Sequence, residues 1–196
     1  SSSTGGESTV VGGDNISVGQ YSTVIGKRNI EYKALSGAAS QTFNNAILGH
    51  GNSVMGSSNT ILGRGNIINS NGSVTASGAT GVERNVVIGY FNSAQGNDNV
   101  VLGHNGTFPT LGDRNIAMGV SSGNQGSNSA FDTIAIGNRA LVNKNNVIAL
   151  GTQVTSTGQT NNYSTSIAIG NLLTSDESIV IGAKGTSDTS FSGMAG

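Results

Sequence analysis

The chain has 196 residues, nine basic against ten acidic for a formal net charge of −1, no cysteine, 31 glycines and a single proline. Charges are too few and too scattered to form a basic patch in the sequence, which argues against nucleic-acid or anionic-membrane partners, and the lack of cysteine excludes disulfide staples and thiolate metal sites. Aromatics at 5%, with no tryptophan, cannot fill a conventional core, while β-branched residues abound, so the expected secondary structure is β.

Taken in chain order, glycines recur seven residues apart at Gly12, Gly19 and Gly26, at Gly49, Gly56 and Gly63, and at Gly89, Gly96 and Gly103, each with Asn or Ser four positions earlier. The heptads are unequal: VVI and VVL precede Gly89 and Gly103, but SAQ precedes Gly96. The period is therefore fourteen, with one strongly apolar strand and one weaker strand per repeat. Strongly apolar strands end at Gly12, Gly26, Gly49, Gly63, Gly89, Gly103, Gly119, Gly137, Gly151, Gly170 and Gly182. Before Gly151 the pattern slips, with Val147 in the place of Asn and Asn146 one position earlier.

A fourteen-residue unit with two short strands and two tight corners predicts a flattened coil, each strand pairing with its own copy about 4.8 Å along the axis. Glycine closes a corner where a β-carbon would clash, and the Asn, Ser or Thr four residues earlier can bond corner backbone and stack from coil to coil. Residues 1–196 are expected to form one domain of about 11–13 coils, with lengthened stretches near 27–44, 64–84, 104–114, 120–132 and 152–165, all in the weaker half.

The strong strands are apolar on both faces. We expect the residue just before the glycine, from Val11 and Ile25 through Ile181, to line the coil interior with the residue three before. The residue two before would then form an outer stripe: Val10, Val24, Ile47, Ile61, Val87, Val101, Ala117, Ala135, Ala149, Ala168 and Val180. A stripe that long is more than a soluble monomer normally exposes, so these eleven residues are the candidate contact between copies.

The repeats NSVMGSSNTILG, NVVIGYFNSAQGNDNVVLG and STSIAIG resemble those of YadA-like trimeric autotransporter adhesin heads over nearly the whole chain. The resemblance implies a left-handed parallel β-roll, three chains around a central axis, and exposure on the outer surface of a Gram-negative bacterium. It implies attachment to host cells, receptors or extracellular matrix, with autoaggregation also compatible. The chain would be the head alone, without neck, stalk or C-terminal membrane anchor, and with no cofactor, metal or catalytic activity. A trimeric phage fibre or tail-spike segment is the alternative.

The carboxylates are scattered, with only Asp176 and Glu177 adjacent, and no Ser, His and Asp or paired-acid constellation emerges. His50 and His104 each follow a strong-strand glycine, about four coils or roughly 20 Å apart, too far to share an ion within one chain. Arg84 and Arg114 share a phase and read as solvated corner charges, with ion pairing between chains as the other reading. Phe43 and Phe131 read as corner packing. Phe108, Pro109 and Leu111, and Tyr163, fall in insertions and are the candidate receptor contacts. Thr9, Thr23 and Thr60 share a phase but are expected to point inward, against an ice-binding ladder.

Overall fold

The structure, a computed structural model, describes residues 1–3, 6–32, 44–69, 82–108, 112–124, 130–154, 166–169 and 179–181. The described residues are all β, without helix. Two parallel sheets face each other: eleven strands, from Thr9–Gly13 to Ile179–Ile181, and nine shorter ones, from Ser2–Ser3 to Leu141–Val142. From Ser2–Ser3 to Val147–Leu150 the described strands alternate between the sheets, and each pairs with the next copy of itself, which is a β-solenoid.

All eleven strong strands found by periodicity stand in the larger sheet, with glycines in register: Gly12 opposite Gly26, Gly49 opposite Gly63, Gly89 opposite Gly103. The lengthened stretches add no strand to it, because Thr23–Lys27 pairs directly with Ala46–His50, and Thr60–Arg64 with Val86–Tyr90. His50 and His104 are accordingly three strand spacings apart rather than four, roughly 14 Å.

The two faces of the large sheet are the reverse of the expectation. Val24, Ile47, Ile61, Val87, Val101, Ala117, Ala135, Ala149 and Ala168 are fully buried within the single chain, and Val10 packs against the same core. These residues line the coil interior and cannot be the contact between copies. Val180 shares their register through Ala168, but its side chain lies outside the described residues. Opposite them the short strands contribute Val54, Ile68, Ala94 and Val142. The outward residues are those just before each glycine: Val11 is 52% exposed and Leu62 47%, and Ile25, Leu48, Met118, Ile136 and Ile169 are also exposed. Thr9 and Thr60 are exposed with them, so the threonines point outward. What breaks a threonine ladder is the Ala46, Val86, Val100 and Ile116 at the same register.

Polar residues inside the coil form two ladders, one at each corner. Asn29 donates from its backbone N–H (3.0 Å) and its side-chain amide (3.1 Å) to Asn15 Oδ1, and Asn52, Asn66 and Asn92 repeat the arrangement in turn. The second ladder runs through the residue four before each glycine: Asn59 N–H donates to Asn45 Oδ1 at 2.9 Å, and Asn85, Asn99, Asn115 and Thr133 follow. Every rung satisfies backbone that the corner removes from the sheets, which is why buried amides are tolerated there. Toward the C-terminus Ala140, Val147 and Val154 replace these polar rungs and join a second apolar cluster with Ala135, Ala149 and Ala168. Apolar bulk then occupies the corners while the strand centre shrinks to alanine, and the slip at Val147 marks that change.

Outside the second corner, Arg84 and Arg114 pair with the next coil of their own chain. Arg84 Nε and Nη2 reach Asp98 Oδ1 and Oδ2 at 2.6 and 2.9 Å, and Arg114 makes the same fork to Asp132 at 2.6 and 2.8 Å. Neither solvation alone nor pairing between chains describes them. The forks hold the Asp98 and Asp132 carboxyls below the usual carboxylate range, chiefly by hydrogen bonding. Carboxyls with depressed folded-state values stabilise the fold above the ordinary Asp value and lose that contribution as pH falls through the depressed one. The pairs are largely exposed, so their effect is small and screened by salt. In acid titrations of the melting temperature, Asp98→Asn with Asp132→Asn is expected to flatten the loss below about pH 4, and its deficit relative to wild type at neutral pH should shrink in high salt.

Candidate functional surfaces

Two features of the exterior are not accounted for by the fold of one chain. The first is the apolar ladder on the large sheet. From Val11 to Ile169 ten strands carry Val, Ile, Leu or Met at the outward position, with a length of roughly 43 Å at the strand spacing. Its neighbour two residues earlier, also outward, changes from Thr9 and Thr23 to Ile116, Ile134, Ile148 and Ile167, so the stripe broadens along the axis. Nothing among the described residues covers it. Parallel sheets are normally covered on both faces.

The second is the corner that follows each large-sheet strand. The register stacks Gly13, Lys27, His50, Arg64, Tyr90, His104 and Val120 as successive rungs. Beside them stand Asp14, Arg28, Gly51, Gly65, Phe91, Asn105 and Ser121, which share one conformation near φ +50 to +65. Tyr90 is 39% exposed and Phe91 51%. Their rings meet edge to face with centroids 4.3 Å apart, Tyr90 and His104 lie 5.2 Å apart, and the Arg64 guanidinium carbon sits 5.7 Å from the centre of the Tyr90 ring. The Phe91 ring lies against Gly65, where an added β-carbon would stand 2.6 Å from it.

The opposite corner differs in charge. It carries Glu7, Glu83, Asp98, Asp113 and Asp132 with Arg84, Arg114 and Lys144, whereas the first corner carries Lys27, Arg28, Arg64 and Arg139 with Asp14 as its one carboxylate among the described residues. A chain that is nearly neutral overall thus presents a basic, aromatic edge and a mixed, acid-rich one.

His50 and His104 are part of the first edge. Phe108 ends the strand Thr107–Phe108, in register with Ala94, so its backbone belongs to the ladder and not to an insertion; its side chain lies outside the described residues. Pro109, Leu111 and Tyr163 also lie outside them, as does Phe43. Phe131 is half-buried at a corner, its N–H donating to Asn145 Oδ1 at 3.0 Å. Sequence reasoning missed Arg64, Tyr90 and Phe91. Aligning the two residues after each strong-strand glycine by phase reveals them, because Tyr90 and Phe91 form the one aromatic pair at those places among the described coils. No group of three or more His, Asp or Glu among the described residues could hold a metal ion. No family model matches the chain, and no curated protein matches it.

Proposed function

We propose that the chain is the receptor-binding head of a bacterial surface adhesin, a left-handed β-roll that works as a homotrimer at the outer surface of a Gram-negative cell and catalyses no reaction. The observation that carries the reading is the ladder from Val11 to Ile169, an apolar strip on a parallel sheet that only another molecule can keep dry. A second copy is the natural cover, because an identical ladder repeats at the same spacing and can interdigitate along its whole length. The resemblance of the repeats to YadA-like heads supplies the number three and the setting. Three copies of a stiff rod offer three identical surfaces, so weak single contacts add to firm attachment by avidity.

Sedimentation of the purified chain is expected to give three times its 19.6 kDa mass. Leu48→Glu with Leu62→Glu places charge on the exposed ladder and should yield a monomer that keeps its β circular dichroism. A wild-type chain that is monomeric at micromolar concentration overturns the assembly. Attachment to host cells or to an array of matrix proteins and receptors tests the adhesive role, and absence of binding in every case overturns it.

A further inference from the structure

The basic edge carries two aromatic rings that pack on one another and, through Phe91, over Gly65, yet leave much of their surface in solvent. At the place of Phe91 other coils put Asp14, Arg28, Gly51, Gly65, Asn105 or Ser121, which are small or polar residues suited to a left-handed corner facing water. A bulky aromatic at positive φ is uncommon; among the described residues Tyr21 at the opposite corner shares this with Phe91, but Phe91 alone of the two adjoins a second ring, Tyr90, with the Arg64 guanidinium beside it. Strain, exposure and the neighbouring cation and ring occur together here, and that combination points to a role in contact.

We propose that this edge, centred on Arg64, Tyr90 and Phe91, binds an acidic glycan: a chain of sugar rings carrying carboxylate or sulfate groups. The proposal rests on the reading of the chain as an attachment module and names its ligand class. Three properties of the edge select that chemistry. Exposed aromatic faces take up the C–H faces of sugar rings, which are apolar although the ring edges are not. Lys27, Arg28 and Arg64, with His50 and His104 between and beyond, supply donors for anionic groups, and the one carboxylate, Asp14, stands at the far end beside Arg28. The cations are sparse: Lys27 and Arg64 are two strand spacings apart, roughly 10 Å, so the edge could neutralise few of the phosphates that a nucleic-acid strand carries about every 3.4 Å of its axis, and affinity must come in part from the rings. Gly51 leaves the edge unobstructed beside His50, since a β-carbon there would meet nothing within 4 Å.

The test uses the full chain over immobilised heparin and immobilised hyaluronate, with uncharged dextran as the blank. Binding is expected to one or both polyanions, weakened by salt, and absent on dextran. Arg64→Asn and Phe91→Ser place residues that other coils already carry at the same register, Asn138 and Ser121, so the fold should tolerate them. Each is expected to reduce binding about ten-fold, with melting temperature and sedimentation unchanged, while Arg114→Asn on the opposite edge leaves binding intact. Absence of binding to both polyanions overturns the proposal, as does equal binding by the Arg64→Asn, Phe91→Ser double variant. A change in oligomeric state on Phe91→Ser also overturns it, since the edge would then be a contact between copies. Attachment of the wild type to cells without polyanion binding removes this site and leaves the adhesive role standing; edge-dependent polyanion binding without cell or matrix attachment does the reverse.

Discussion

Gly89→Ala is expected to lower the melting temperature by about 10 °C, whereas Gly13→Ala shifts it by about a degree or less. Gly89 has φ +126, and a β-carbon on it would stand 1.9 Å from the Gly103 carbonyl oxygen of the next coil. That oxygen cannot withdraw, because it is the acceptor of the Asn92 amide at 2.9 Å and belongs to the pairing of the large sheet. Backbone strain of about 1–3 kcal/mol and overpacking of about 1–3 kcal/mol act together, and for a chain of this size each kcal/mol moves the midpoint by about 2–4 °C. Gly13 has neither problem: its φ is ordinary and an added β-carbon would meet only Lys27 Cγ, at 3.9 Å. Calorimetry on the two variants compares a glycine required by the stack with one that is not. Equal melting temperatures would show that the coils do not approach as closely as the glycine ladder requires.

The second large effect concerns Glu31, a carboxylate 1% exposed in the small sheet, inside the coil. Its oxygens accept from Ser17 Oγ, the Gly19 N–H at 3.0 Å, Ser22 Oγ at 2.6 Å and the Asn45 amide at 2.8 Å. No cation is in this set. Four donors take the place of water, which is the condition under which a buried carboxylate is tolerated. Glu31→Ala removes all four acceptor contacts and leaves a cavity, and it is expected to cost more than about 4 kcal/mol, enough to prevent folding near the N-terminal coils. Glu31→Gln keeps the shape but turns a donor toward one oxygen's partners. The serine hydroxyls can rotate to accept, but the Gly19 N–H and the Asn45 amide cannot, so one donor faces another whichever way the amide lies, at a cost of about 1–3 kcal/mol. Denaturant melts of the three proteins should rank wild type above Gln above Ala. A Gln variant as stable as wild type would mean that the four-donor network around Glu31 is not formed.

Register along the solenoid was readable from the spacing of glycines because a parallel in-register stack translates directly into a sequence period. The eleven large-sheet strands, the Asn ladder four before each glycine and its failure at Val147 all follow from that. Which face of the strand lies inside did not. With apolar residues at three consecutive positions, alternation sorts them into two sets without saying which set is enclosed. The deciding signs were present but weak: the residue two before each glycine is restricted to Val, Ile or Ala, as a narrow interior of fixed width demands, while the residue before the glycine varies among Val, Ile, Leu and Met. Threonine three before the glycine shares the outer face. Copies therefore meet, in the proposed assembly, through Val11, Leu48 and Leu62 rather than through Val10, Ile47 and Ile61.

What the sequence by itself determined is the coil: its fourteen-residue period, its two strands and the glycines that let backbones close on one another. These are local, and repeat identically in every copy, so chain chemistry alone reveals them. What only the tertiary structure decided is the exterior. Lys27 and His50, and likewise Arg64 and Tyr90, are separated along the chain by lengthened stretches between a short strand and the next long one, yet become consecutive rungs because pairing ignores how much chain intervenes. Net charge near zero concealed a basic edge and an acid-rich edge for the same reason: winding sorts residues by phase, and no window along the chain spans that sorting.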